Sequence, residues 1–244
     1  MEWMILLVSG FVAGSIDAIA GGGGLITLPI LSYFLGAGAH AIGTNKIVGV
    51  TGALMAFLVY RRHHPLHLKR GIVFIVFIGV GSFIGSHVTP LIPRDFFRWF
   101  LIGVSPILLL LIWNKKLWMH ELHAVPRGNI WLAVTGTAVG FYDGFFGPGG
   151  GTFMLLGLLW VVRMQLLPAL LLSKLANTVS AGVALGSFAF GGYVHWVDGC
   201  VMGCGMLFGA WLGAKYATKK AEKIVRPVMT LVVLLLVLSL LRVH

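Results

Sequence analysis

Charge is scarce in this chain. Asp, Glu, Lys and Arg make up 10% of 244 residues, against about 25% in an ordinary soluble domain. That shortage excludes a water-soluble globular protein. Cysteine is scarcer still: Cys200 and Cys204 lie one helical turn apart in an apolar run. A structural zinc site needs about four N or S ligands, so the two read as small packing residues. The cluster His63, His64 and His67 has neither acid nor cysteine beside it. No metal or cofactor is expected. The first segment lacks a basic leader and runs into Asp17 and a glycine tract. It reads as a retained structural segment rather than a cleaved signal.

What remains is apolar. Hydrophobic residues are 58% of the chain and the mean hydropathy is +0.96. Uncharged stretches run 18–45, 71–93, 99–114, 144–162, 175–197 and 227–241. Several reach the ~20 residues that cross a hydrocarbon core. Segments near 1–16 and 25–36 look short for a full span. The composition therefore predicts an all-α integral membrane protein whose first partner is the lipid bilayer. The net charge of +11 does not form a nucleic-acid surface, because the basic residues sit in short clusters between apolar runs. Arg61, Arg62, Lys69 and Arg70 form one; Lys115, Lys116 and Arg127 a second; Lys215, Lys219, Lys220, Lys223 and Arg226 a third. Such clusters mark cytoplasmic loops.

With 61–70 inside, 71–92 exits and 96–113 returns to the basic loop 114–128. The segments 129–144, 148–162 and 166–190 are expected to make three passes, with Arg163 again inside. The loop 191–198 has no Lys or Arg and suits the outside. The segment 199–214 returns and 227–242 exits, which puts both termini on the non-cytoplasmic side. Trp99, Trp113, Trp131, Trp160 and Trp211 fall near span ends, as interface anchors do.

The chain also repeats itself. GSIDAIAGGGG at Gly14–Gly24 matches GFYDGFFGPGG at Gly140–Gly150. After a two-residue insertion, Lys46 falls on Lys174, His67 on His195, Gly81/Gly85 on Gly209/Gly213, and Arg98 on Arg226. One half is a diverged copy of the other: 1–113, a basic linker 114–128, then 129–244. Each half holds five apolar segments, an odd number, so the halves are expected to be inverted in the membrane. Each would carry a glycine-broken helix pair, spanning or re-entrant, and about three full spans. Inverted repeats with broken helices place a binding site near the bilayer midplane. Glycine rows, Gly10/Gly14 and Gly136/Gly140/Gly144 in the first segments, Gly81/Gly85 and Gly205/Gly209/Gly213 in the fourth, permit close helix contact.

The breaks themselves are the candidate site. Gly21, Gly22, Gly23 and Gly24, and Gly147, Gly149 and Gly150 around Pro148, cannot comfortably continue a helix. Irregular backbone at membrane depth must be buried or line a cavity. The helices that restart there offer free N–H groups to an anion. Positive φ is expected at Gly23 and Gly149. Lys46 and Lys174 lie at matched depths in the helices that follow, where a cation facing lipid is costly. Asn45 and Asn177 sit beside them as donors. Asp17 and Asp143 are the acids far from any loop. Three roles stay open for them: carrying a coupling proton, pairing with Lys46 or Lys174, or capping the N–H groups of the glycine turn.

AGSIDAIAGGGGLITLPIL followed by GTNKIVG, then GFYDGFFGPGGGTFMLLG followed by LSKLAN, resembles the TauE/SafE family of sulfite-exporter-like bacterial membrane proteins. The likeness covers nearly the whole chain. It implies a multi-pass inner-membrane permease with duplicated halves, for sulfite, sulfoacetate or a related small organosulfur anion. The motif positions it implies are Asp17, Gly21 to Gly24, Asn45, Lys46, Asp143, Gly147, Gly149, Gly150 and Lys174. The expected function is anion transport by alternating access, with a homodimer compatible. A passive anion channel is an alternative. An intramembrane lipid-phosphate enzyme fits less well, because no Glu and no Arg lies in a mid-span.

Overall fold

In the computed structural model, residues 1–62, 68–93, 96 and 127–217 are described. Among the described residues eight helices carry the fold: α1 Glu2–Ala20, α2 Gly24–Leu35, α3 Ala39–Arg61, α4 Leu68–Val88, α5 Asn129–Phe145, α6 Gly150–Val161, α7 Leu166–Phe190 and α8 Trp196–Ala217. No strand occurs among the described residues. Five helical segments among the described residues are long and apolar enough to cross a membrane: Glu2–Ile19, Ala39–Arg61, Gly71–Leu91, Leu166–Phe190 and Trp196–Ala217. The segments 96–113 and 227–242, the linker 114–128 up to Val125 and Pro126, and His67, Arg98 and Arg226 lie outside the described residues, Phe96 apart.

The first segment is longer than its sequence suggests. Helix α1 has 19 residues, about 28 Å at 1.5 Å per residue. It runs through Asp17 and stops only at Gly21, whose φ of +80 closes the last turn. Helix α2 is short, as expected; α6 is short as well, where a pass over 148–162 was expected, and it ends in a π turn, Gly157–Val161.

The glycine rows meet each other's partner helices across the halves. A Cβ on Gly10 or Gly14 would strike the Met202 or Met206 carbonyl, and one on Gly205, Gly209 or Gly213 the carbonyls of Leu7, Phe11 or Ser15. So α1 and α8 run parallel, backbone on backbone. The same holds for α4 and α5. Gly81 and Gly85 abut Thr137 and Phe141, while Gly140 and Gly144 abut Ile78 and Ser82. Helices α3 and α7 pack antiparallel between these pairs, Gly43 against Phe188 and Gly49 against Ala181.

The hairpin α5–α6 returns to the end it came from. Arg127 donates its backbone N–H to Val162 O at 2.9 Å and its guanidinium to Val161 O at 3.2 Å. That end is where Gly71 of α4 faces Leu172 of α7. The α1–α2 hairpin opens at the other end. There His40, at the start of α3, meets Tyr193 and His195 edge-on; both precede α8. The tips of the two hairpins meet in the middle: a Cβ on Gly21 would lie 2.5 Å from Gly151 C and 2.6 Å from Thr152 N.

Candidate functional site

Asp17 and Asp143 each sit in the last turn of the helix before a break. Lys46 and Lys174 each lie about two turns into a long helix. All four are buried, with Lys46 3% and Lys174 1% exposed. Unpaired, each would be costly at that depth. They pair crosswise between the halves. Lys46 Nζ reaches Asp143 Oδ2 at 3.4 Å and also donates to the Asp143 carbonyl. Lys174 Nζ reaches Asp17 Oδ2 at 3.2 Å and also donates to the Asp17 carbonyl. Two ion pairs thus tie one half to the other.

The further partners of the two carboxylates differ. Asp17 Oδ1 accepts the Gly23 N–H at 3.0 Å, a cap on the start of α2. Asp143 Oδ2 accepts the Ser180 hydroxyl at 2.6 Å, and its Oδ1 lies against Gly150. Pairing and capping therefore coexist on Asp17. Two tyrosines brace the breaks: Tyr60 donates to Ala18 O at 2.7 Å and Tyr142 to Pro148 O at 2.6 Å. Thr27 donates to Asn45 Oδ1 at 2.6 Å, which leaves the Asn45 amide nitrogen turned toward Gly24.

Between the breaks lies a cavity of about 30 Å³, room for about two water-sized groups. Its walls come from both halves. Gly21, Gly24, Asn45 and Lys46 line it from the first, and Gly147, Gly149, Gly151 and Asn177 from the second, with Asp17 and Asp143 on either side. Among the described residues no group of three or more His, Cys, Asp or Glu is placed to hold a metal.

Residues 6–240 match the family described as Sulfite exporter TauE/SafE. The chain belongs to this family. Among its relatives is the probable membrane transporter protein ORF9 of a Sinorhizobium species, 34% identical, with 81% of this chain and 76% of the relative covered. A probable membrane transporter protein of Haemophilus influenzae is 35% identical over 81% of this chain and 78% of its own. The probable membrane transporter protein YunE of Bacillus subtilis is 28% identical over 81% and 82%. No solved structure matches. The protein is a multi-pass bacterial membrane protein of a transporter family.

Most of the residues singled out from the sequence gather at this centre of the TauE/SafE chain, but not all in one role. Gly22, Gly23, Gly150 and Lys174 stand outside the cavity lining. The expectation of positive φ at Gly23 is corrected. Gly23 is right-handed helical, φ −56, and the left-handed residue is Gly21. What forbids a side chain at Gly23 is crowding: a Cβ would lie 2.7 Å from Asp17 Cβ and 2.8 Å from Met206 Cε. Gly149, at φ +75, is left-handed as expected. Ser180, Thr27, Gly49, Ala181 and Met206 join the site without any signal in the sequence, and Gly151 joins it from the second glycine run. Serines and alanines are common in packed membrane helices. Only the three-dimensional crossing of α3 and α7 distinguishes these. His195 is an exposed loop residue whose backbone N–H donates to Thr44 at 3.0 Å.

Proposed function

We propose that this protein carries a small oxyanion, sulfite or a related organosulfur anion, out of the cell through the cavity between its two glycine breaks. The observation that carries this reading is the pair of ion pairs crossing between the halves around that cavity. The halves act as inverted repeats that rock about the site, opening it to one side and then the other. Lys46 and the side-chain amides of Asn45 and Asn177 supply the donors. The cavity is closer in scale to a small inorganic oxyanion than to one with an organic tail. Its small volume favours a carrier over a wide open channel. Export needs no coupling ion, because an inside-negative potential of 100 mV drives a monovalent anion outward by about 2.3 kcal/mol.

The test is sulfite efflux from proteoliposomes with a clamped potential. Efflux should saturate with sulfite concentration and speed up when the interior is made negative. A current that rises linearly without saturation assigns a channel. Absence of flux for sulfite, sulfate and sulfoacetate alike removes the reading.

A further inference from the structure

The two ion pairs are duplicates by sequence, but they do not have the same surroundings. Lys46 lines the central cavity and Lys174 does not. The glycine breaks differ in the same sense. Gly147 makes room for an ammonium group: a Cβ there would lie 2.8 Å from Lys46 Nζ. Its counterpart Gly21 instead makes room for backbone, the peptide of Gly151 and Thr152 in the other hairpin. The carboxylates differ too. Asp143 holds the Ser180 hydroxyl at 2.6 Å as well as Lys46, so it stays hydrogen-bonded when the lysine turns away. Asp17 is bound to Lys174 and to the Gly23 N–H, which locks the start of α2 onto α7.

We propose that the duplicated pairs have divided the work: Lys46 exchanges Asp143 for the bound oxyanion, while Lys174–Asp17 is a fixed tie that holds the halves together. This rests on the reading that the anion binds at the breaks. Before binding, the four charges cancel and the cavity offers no net attraction. An oxyanion that reaches Lys46 replaces one carboxylate with another acceptor of the same sign. The displaced Asp143 is then held by Ser180. Lys174 has no such route, since it lies outside the cavity lining, while its ammonium is held by the Asp17 carboxylate and carbonyl.

The experiment compares two neutralised pairs, because removing one partner alone would strand a buried charge. Lys46→Met with Asp143→Asn should weaken sulfite binding about tenfold or more, the scale of a lost hydrogen bond to a charged group. Sulfite should also cease to raise the thermal midpoint of that variant in detergent. Lys174→Met with Asp17→Asn should lower the midpoint itself, while sulfite still raises it. Equal loss of sulfite binding in both variants overturns the division of roles but leaves the site at the breaks. Unchanged binding in both removes the site and this inference with it. Should the second variant not fold, the wild-type protein decides. With lysine side chains labelled with ¹⁵N, sulfite should move the Lys46 Nζ resonance and leave that of Lys174 in place. Movement of both overturns the proposal.

Discussion

Four buried charges in a chain this apolar are stable only as pairs, and the pairing has a measurable consequence. Removing one member of a buried pair leaves an uncompensated charge and costs about 3–5 kcal/mol. Lys46→Ala strands Asp143, and Asp17→Ala strands Lys174. Each single variant should therefore lose much of its thermal stability in detergent, and Lys46→Met with Asp143→Asn should recover most of it. A double-mutant cycle on melting midpoints checks this; additive effects would mean the two groups do not interact. From the sequence alone a lysine at depth is only a cost. Pairing of the acids with these lysines was one of the roles the sequence left open. That acids and lysines lie at depth was legible, because a charge inside an apolar run has few explanations. That each lysine reaches the acid of the opposite half was not, since the repeat aligns Lys46 with Lys174 and is silent on what either touches. Ser180 was invisible for a plainer reason: one hydroxyl in a long apolar helix has many uses.

The glycines sort into two kinds of element contact, and a Cβ tests both. In the rows, glycine lets two parallel helices touch backbone to backbone. A methyl group on Gly209 would run into the Phe11 carbonyl, and one on Gly81 into that of Thr137. Neither neighbour is a side chain that can move aside. Gly182 and Gly186 of α7 have nothing within 4 Å of an added Cβ. Gly209→Ala and Gly81→Ala should therefore yield little monodisperse protein, while Gly186→Ala should match or exceed the parent, alanine being the better helix former by about 1 kcal/mol. Size-exclusion profiles in detergent separate the outcomes. A normal profile for Gly209→Ala would mean that α1 and α8 are not in backbone contact. The rows were readable from their four-residue spacing. Their partners, α1 with α8 and α4 with α5, were not, because helices far apart in the chain are joined only by packing. The breaks were readable as breaks, yet one left-handed residue was placed at Gly23 instead of Gly21. Four consecutive glycines give no local cue to which of them turns.

At the scale of the whole molecule, the charge pattern and the packing give one orientation. The basic end of α3 at Arg61 and Arg62 is the end toward which the α5–α6 hairpin opens, since α4 begins beside the start of α7 and runs parallel to α5. The α7–α8 turn, which carries no Lys or Arg, lies at the far end, beside the start of α3 and the mouth of the α1–α2 hairpin. Positive loops stay on the cytoplasmic side, so α5–α6 should enter the membrane from the cytoplasm and α1–α2 from outside. Inverted halves working by alternating access require this opposition; two hairpins entering from one side would not place their tips against each other by a rotation in the membrane plane. The native thiols at Cys200 and Cys204 are exposed and must first be replaced by serine. In that background, Arg62→Cys and His195→Cys introduce single thiols at two exposed positions. A membrane-impermeant maleimide applied to intact cells should label position 195 and reach position 62 only after permeabilisation. If both react from the same side, the halves are not inverted and the rocking mechanism has no structural basis, whatever anion the protein carries.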